Sequence, residues 1–272
     1  MMIFCCPVCR GRLEKREKSL YCPNGHCYDI SKYGYVNLLM SNQSSAKRHG
    51  DDRLMVEARR DFLDAGYYAP IRDALLELAL PELKSGSRLL DAGCGEGWYT
   101  AAVYEAAKRK GVDIAVACSD ISKDALRYAA KRLPDAEHAV SSSAHLPVED
   151  GGCDMLLNFF SPLEAAEFHR VLSPGGTLIR AVVLPKHLWG LKAAVYDKPY
   201  ENGEPETELD GFTLERRIDV KSRITVEGED IKRLFSMTPY YYKTSAADHA
   251  KLETLTSVDT ELEVCLLGYR RT

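Results

Sequence analysis

Cys6, Cys9, Cys22 and His26 have the types and the spacing of metal ligands. They read C-x2-C, then twelve residues, then C-x3-H. Two ligands so close in sequence form a turn that grips one side of a tetrahedral ion, and the second pair closes the other side. Soft thiolates with one imidazole suit Zn2+. With all four positions taken by side chains, the site is expected to be structural and not catalytic. Cys5 and Cys27 adjoin these ligands at poorer spacing and read as bystanders. The chain has nine cysteines, an odd number, and four fall within the first 22 residues. That pattern fits metal ligation in a reducing compartment better than a disulfide framework.

A second chemistry is written in Leu90-Asp91-Ala92-Gly93-Cys94-Gly95-Glu96-Gly97. The run follows an expected strand and opens an expected helix. Glycines there let the backbone turn tightly and approach a ligand closely. The spacing is G-x-G-x-G, and Trp98 stands where a dinucleotide fingerprint needs its third glycine. A bulky residue at that point and an acid before the first glycine both disfavour a pyrophosphate. A cationic sulfonium with a zwitterionic methionine tail, S-adenosylmethionine, suits the turn better. Asp120 ends the next strand, 23 residues beyond Gly97, where an acid can accept from both ribose hydroxyls. Ser143-Ala144-His145-Leu146-Pro147 resembles the adenine-flanking turn of Rossmann-like methyltransferases. Val171-Leu172-Ser173-Pro174-Gly175-Gly176 resembles the lead-in to the fifth strand of that superfamily.

The elements that must position these residues follow from periodicity. Residues 54–80 carry apolar positions at helical spacing, broken at Gly66 and Pro70. Strands are expected at 87–92, 114–118, 154–160 and 177–184, with helices at 98–110, 122–132 and 163–172 between them. Ser122 is the expected N-cap of its helix. Strand and helix alternating over short connections imply a parallel sheet covered on both faces. Strands at 212–226 and 259–269 should add an antiparallel edge around a helix near 229–236. The fold class is thus α/β, and the resemblance of the turns above implies a Rossmann-like methyltransferase domain over 54–272, with a small zinc-ribbon-like module ahead of it. That module, 1–40, has too little chain for a core of its own, so metal binding would supply its folding energy. Polar residues 41–53 read as a flexible linker that frees the module to move. Residues 200–210 read as an acidic loop.

The net charge is −4 at neutral pH, which does not by itself suggest a nucleic-acid binder. Its distribution says more. Residues 1–60 hold 11 Lys and Arg against 6 Asp and Glu, and the remainder holds 25 against 34. A basic amino end on an acidic body hints at a polyanion docked by that end, with Arg10, Arg12, Lys15 and Arg16 as phosphate contacts. The sequence shows neither a signal peptide nor an apolar run of the length that crosses a bilayer, and a cytoplasmic protein is expected. Two other readings fit the same residues: a small-molecule methyltransferase with a structural zinc knob, or a non-catalytic RNA-binding protein of relic fold. The intact glycines with Asp91 and Asp120 weigh against the second.

Taken together, the zinc motif, Tyr33-Gly34-Tyr35-Val36-Asn37-Leu38-Leu39, Ala58-Arg59-Arg60-Asp61-Phe62-Leu63-Asp64-Ala65-Gly66, the 91–99 turn and Pro185-Lys186-His187-Leu188 resemble the bacterial large-subunit ribosomal RNA guanine-N1 methyltransferases. Gly211-Phe212-Thr213-Leu214 and Met237-Thr238-Pro239 also fit, so the resemblance spans nearly the whole chain. It implies methyl transfer from S-adenosylmethionine to N1 of a guanine in an rRNA hairpin loop, RNA recognition by the zinc module, and often a homodimer. It also implies cofactor contacts by Tyr68, Glu96, Gly97 and His187. These join Asp91, Gly93, Gly95, Asp120, Ser143 and Ala144 from the motifs above. Asn158-Phe159-Phe160-Ser161-Pro162, at a strand tip facing the substrate, departs from the pattern and leaves the target guanine open. No catalytic residue is assigned. His187, Glu96 and the Asn158 segment are the candidates for accepting the guanine N1 proton, with Glu96 reading better as a cofactor ligand. Phe159, Phe160 and Tyr240-Tyr241-Tyr242 are candidate stacking faces.

Overall fold

The computed structural model describes residues 2–43, 51–241 and 244–272. Three short strands, β1 (Glu14–Arg16), β2 (Ser19–Tyr21) and β3 (Cys27–Asp29), form an antiparallel sheet that presents the metal motif. Next comes β4 (Val36–Asn37). The helical stretch divides at its glycine into α1 (Arg53–Asp64), capped by the Asp52 side chain on the Met55 N–H, and α2 (Ala69–Ala79), with Pro in its first turn.

Alternation then follows, with β7 a strand to which periodicity assigns no range: β5 (Arg88–Ala92), α3 (Trp98–Arg109), β6 (Ala115–Asp120), α4 (Lys123–Arg132), β7 (Glu137–Val140), β8 (Cys153–Phe159), α5 (Ala165–Val171) and β9 (Leu172–Val183). Ser122 does cap α4, accepting from the Ala125 N–H at 3.3 Å. The chain closes with α6 (Trp189–Val195), β10 (Phe212–Glu227), α7 (Glu229–Ser236), α8 (Ala246–Leu252) and β11 (Ser257–Arg271). The seven-residue helices α6 and α8 were not foreseen, being too short to show periodicity.

The main sheet has the order β10-β11-β9-β8-β5-β6-β7-β4. Pairing is parallel from β9 to β4 and antiparallel along β9-β11-β10. Strand order reverses direction at β5, between β6 and β8, so a crevice opens at their carboxyl ends. Leu89, Val116, Leu157 and Ile179 face one side of the sheet. Their neighbours Leu90, Ala117, Leu156 and Leu178 face the other. Two buried faces explain the near-continuous apolar strands. Helices α1 to α4 cover the first face, with Phe62, Leu75, Val103 and Leu126 in that core. On the second face α5 supplies Phe168 and Val171, and the zinc module supplies Phe4, Leu13 and Leu20. Among the described residues no helix is long and apolar enough to cross a membrane.

The module is therefore built into the catalytic domain. Strand β4 pairs in parallel with β7 and becomes the eighth strand of the main sheet. The Glu137 carboxylate accepts from the Ile3 N–H at 2.7 Å and the Phe4 N–H at 3.1 Å. The Cys5 N–H donates to the Pro147 carbonyl at 2.7 Å. These contacts correct the expectation that a linker frees residues 1–40 to move. Residues 44–50 of that linker lie outside the described residues. Its ends are held, since Ser41–Gln43 form a 3-10 turn and Asp51 pairs with Arg59.

Candidate functional site: a zinc cluster and a cofactor crevice

The four predicted metal ligands come together. One ligand atom from each of Cys6, Cys9, Cys22 and His26 lies within 4.8 Å of all the others. Cys9 Sγ is 3.6 Å from Cys22 Sγ, and His26 Nδ1 is 3.5 Å from Cys6 Sγ and 3.3 Å from Cys22 Sγ. Those separations match the edges of a tetrahedron with zinc bond lengths, about 3.3–3.8 Å. The Tyr28 hydroxyl lies 3.0 Å from Cys6 Sγ, placed to donate to a metal-bound thiolate and fix its orientation. Cys5 and Cys27 stand outside the cluster.

At the carboxyl ends of β5, β6 and β8 lies a cavity of about 880 Å³. Of the predicted cofactor residues, Tyr68, Asp91, Gly93, Gly95, Glu96, Asp120, Ser143, Ala144 and His187 line it. Gly97 does not. It is the N-cap of α3, where a Cβ would lie 3.3 Å from Ala129, so its small size serves the packing of α3 on α4. The turn itself is tied to the neighbouring strand. The Gly93 and Cys94 N–H groups donate to the Ser119 carbonyl, and the Gly95 N–H donates to Asp120 Oδ2 at 2.8 Å. Asp120 Oδ1 accepts from the Ser122 N–H at 2.8 Å. Each Asp120 oxygen retains a free lone pair for a ligand hydroxyl.

Electrostatics select the ligand. Asp51, Asp91, Glu96, Asp120 and Glu164 line one cavity, and among the described residues Arg59 supplies its only guanidinium. Asp91 is buried; one of its oxygens accepts from the Thr100 hydroxyl, and the other has no partner among the described residues. Burial pushes the Asp91 carboxyl well above the usual carboxylate range, and the nearby Cys118, Asp120 and Glu96 add to the rise. Burial likewise raises Glu96, against the opposing pull of Arg59. It raises Asp120 against two backbone N–H donors. Such a cradle repels phosphate and favours a cation. At Gly95 a Cβ would meet no protein atom closer than Arg59 Nη1 at 3.9 Å, so space is left for a ligand against the backbone.

His187 sits at the far wall. The Glu263 N–H donates to its Nδ1 at 3.3 Å, which leaves the proton of the neutral ring on Nε2. Nε2 is 3.4 Å from the Tyr68 hydroxyl. Burial, aided by the Lys192 charge, pushes the imidazole down to about 3. At neutral pH His187 is thus a neutral hydrogen-bond donor into the site, and it is not suited to accept the guanine proton. Asn202, from the acidic loop, closes this wall. Its Nδ2 reaches the carbonyls of Leu184, Pro185 and His187 at 3.1–3.3 Å, and its Oδ1 accepts from Lys192 and Tyr240.

Ser161, from the strand-tip segment expected to face the substrate, lines the cavity, whereas sequence reasoning missed Arg59, Tyr99 and Asn202 as lining residues. Arg59 stood inside a quoted motif without a role. The Tyr99 hydroxyl is buried and has no partner among the described residues. Of the candidate stacking faces, Phe159 is buried and forms part of the cavity wall, Tyr241 packs on Phe235 and His249, and Tyr242 lies outside the described residues. Phe160 and Tyr240 face the cavity.

Residues 4–47 match the family model described as RlmA, N-terminal, a zinc ribbon, and residues 89–176 match a methyltransferase domain. A putative 23S rRNA (guanine-N1)-methyltransferase of Bacillus subtilis is 31% identical over 278 residues, covering 97% of this chain and 96% of that protein. The chain belongs to this family. A 23S rRNA (guanine(748)-N(1))-methyltransferase of Streptomyces fradiae is 37% identical over 186 residues, 67% of this chain and 64% of that protein. A putative 23S rRNA (guanine-N1)-methyltransferase of Micromonospora griseorubida is 37% identical over 202 residues, 67% of this chain and 66% of its own length. As a member of the family the chain is an enzyme, with S-adenosylmethionine as cofactor and zinc in its ribbon. The acid-lined cradle fits that cofactor, whose sulfonium supplies an activated methyl group.

The raised carboxyls make a testable statement about pH. A carboxyl raised in the folded state contributes stability below its unfolded value, and loses it as pH climbs through the raised value. Without a cation against it, the cradle therefore becomes less favourable as pH rises from the ordinary carboxylate range, about 4, towards neutrality. A bound cation relieves that repulsion. Cofactor affinity should rise across this interval, with proton release on binding. Calorimetry in buffers of different ionisation heat reads both quantities; a pH-independent affinity without proton release would contradict the cradle.

Proposed function

We propose that this chain transfers the methyl group of S-adenosylmethionine to N1 of a guanine in a hairpin loop of 23S rRNA. The observation that carries the proposal is the acid-lined crevice in a chain similar, nearly end to end, to a protein named for that reaction. In the reaction the N1–CH3 bond forms as the CH3–S bond breaks, and the N1 proton leaves. Positioning does most of the work in such an in-line displacement. With His187 held neutral as a donor, the proton leaves by another route, and solvent at the open mouth suffices. Tyr68, Asp91, Gly93, Gly95, Glu96, Asp120, Ser143, Ala144 and His187 hold the cofactor in this reading. The guanine must be unstacked to enter the crevice. The protein works in the cytoplasm on the large-subunit RNA. The experiment is transfer of tritiated methyl to large-subunit rRNA from a strain lacking the gene, followed by mapping of the modified base. No transfer, or transfer to a small molecule in its place, would overturn it.

The zinc ribbon serves RNA recognition in this reading. Arg12, Lys15 and Arg16 are exposed on it. Arg10 is committed elsewhere, since its Nη1 donates to the Val148 carbonyl at 3.0 Å and anchors the module. Charge reversal at Arg12, Lys15 and Arg16 should lower rRNA affinity and flatten its dependence on salt by up to three phosphate contacts. Cofactor affinity should stay within twofold. Arg10→Glu should instead lower thermal stability. Equal RNA affinity and equal salt slope in the triple variant and the parent would remove the ribbon from phosphate binding.

A further inference from the structure

The tip of β8 folds back on the glycine turn. Asn158 Nδ2 donates to Ser161 Oγ at 2.5 Å and to the Pro162 carbonyl at 3.1 Å. Ser161 Oγ donates to the Ala92 carbonyl at 2.9 Å, and its side chain fills the space over Gly93. Within this lock one of the two residues between Asn158 and Ser161 adopts the left-handed region. That residue is Phe160, at φ 52. Only Arg10, Glu17 and Leu188 share that conformation among the described non-glycine residues. A phenylalanine is disfavoured there, where glycine or asparagine is the usual choice. Phe160 is also 46% exposed, whereas the preceding Phe159 is 6% exposed. An apolar ring in a disfavoured backbone conformation, half turned to water, adds less to the core than Phe159 does. It lines the mouth of the cofactor cavity. Phe159 meets it edge-on, with centroids 6.3 Å apart and planes at 89°, and Tyr99 stands at 6.3 Å.

We propose that Phe160 is the platform on which the target guanine stacks once it has left its own helix, a base subsite beside the methyl donor. This rests on the rRNA-methyltransferase reading. A flipped base loses its stacking partners, and an aromatic face at the mouth replaces them. Every base has such a face, so the ring holds the base without choosing it. The left-handed backbone at φ 52 accompanies a ring turned toward the mouth, while Asn158 and Ser161 tie the chain on either side to the glycine turn.

The test uses the full-length zinc-loaded protein, unmodified 23S rRNA transcript, and three variants. Phe160→Gly removes the ring and also relieves the backbone, so it should fold at least as stably as the parent. Its affinity for S-adenosylmethionine should stay within twofold. Its kcat/KM for rRNA should fall by about tenfold to a hundredfold, the scale of one lost base–aromatic stack. Phe160→Leu should behave like it, and Phe160→Tyr should restore most of the rate. With 2-aminopurine at the mapped target position, fluorescence in the complex should be quenched by the parent and by Phe160→Tyr, and bright with Phe160→Gly. An active parent with an equally active Phe160→Gly, or with unchanged 2-aminopurine quenching in that variant, overturns the role of Phe160 alone. A parent that does not methylate rRNA overturns the substrate reading and this subsite with it.

Discussion

Gly93→Ala is expected to destabilise the whole domain and abolish cofactor binding, whereas Gly95→Ala should leave the fold standing and weaken the cofactor alone. Two glycines of one turn thus fail in different ways. At Gly93 φ is 91, beyond the range an L-residue adopts easily. A Cβ there would lie 2.5 Å from Ser161 Cβ and 2.6 Å from its Oγ. Ser161 cannot move aside without breaking its bonds to the Ala92 carbonyl and Asn158. Strain and overpacking together cost about 3 kcal/mol or more, a fall of roughly 10 °C in melting temperature for a domain of this size. At Gly95 φ is 56, inside the left-handed well, where a non-glycine residue costs only about 1–2 kcal/mol. The new methyl would meet no protein atom within 3.9 Å and would point into the ligand's space. Affinity for S-adenosylmethionine should drop by about tenfold or more, on the scale of a group overpacked by one methyl. Gly95→Val, β-branched at positive φ, should lose binding altogether. Thermal denaturation beside calorimetry separates the two cases. A Gly93→Ala protein that melts with the parent, or a Gly95→Ala protein with undiminished affinity, would contradict this account of the turn.

The contrast also marks how far the sequence could be read. Residue types at Asp91, Gly93, Gly95 and Asp120 announce a ligand turn because few other residues could make one there. The spacing alone could not show that Gly97 faces Ala129 and not the ligand. Periodicity fixed the long elements, down to α7 inside its hairpin. It was silent on β4, two residues long, whose partners Ala139 and Val140 lie more than 100 positions away. That pairing, with the contacts of residues 3–10 to Glu137, Pro147 and Val148, is what makes the zinc ribbon built in and not tethered. Arg10 was read as a phosphate contact by its charge, and its destination at Val148 depends on the same docking. Arg59, Tyr99 and Asn202 reach the crevice from α1, α3 and a loop after α6. Their convergence is a property of the fold, and no local pattern encodes it. The positive φ at Phe160 was equally hidden, since a phenylalanine is a residue type that gives no local signal for it.

Loss of zinc should therefore damage the catalytic domain as well as the ribbon. One zinc per chain is expected, held by Cys6, Cys9, Cys22 and His26. A ribbon of this size folds on its metal, with apparent binding energies of about 10–16 kcal/mol at neutral pH. If it were a tethered knob, removing the ion would spare cofactor binding and thermal stability. Here Phe4, Leu13, Leu20, Val36 and Leu38 share a core with Ala139, Leu146 and Val148. Unfolding the ribbon would uncover that face and strip β4 from the edge of β7, leaving an unpaired edge strand open to aggregation. Cys9→Ser or Cys22→Ser should lose the metal, lower the melting temperature by about 10 °C, the effect of roughly 3–5 kcal/mol, and increase aggregation on heating. The effect on S-adenosylmethionine should be smaller, because the crevice wall nearest the ribbon is the 142–144 turn, which lies just ahead of Leu146 and Val148. A Cys27→Ser control should keep the zinc and the parental melting point, since Cys27 is exposed and outside the cluster. Elemental analysis, thermal denaturation and light scattering on the same samples decide the matter. A zinc-free variant that melts with the parent would mean that the ribbon contributes nothing to the domain, and the shared core described here would have to be wrong.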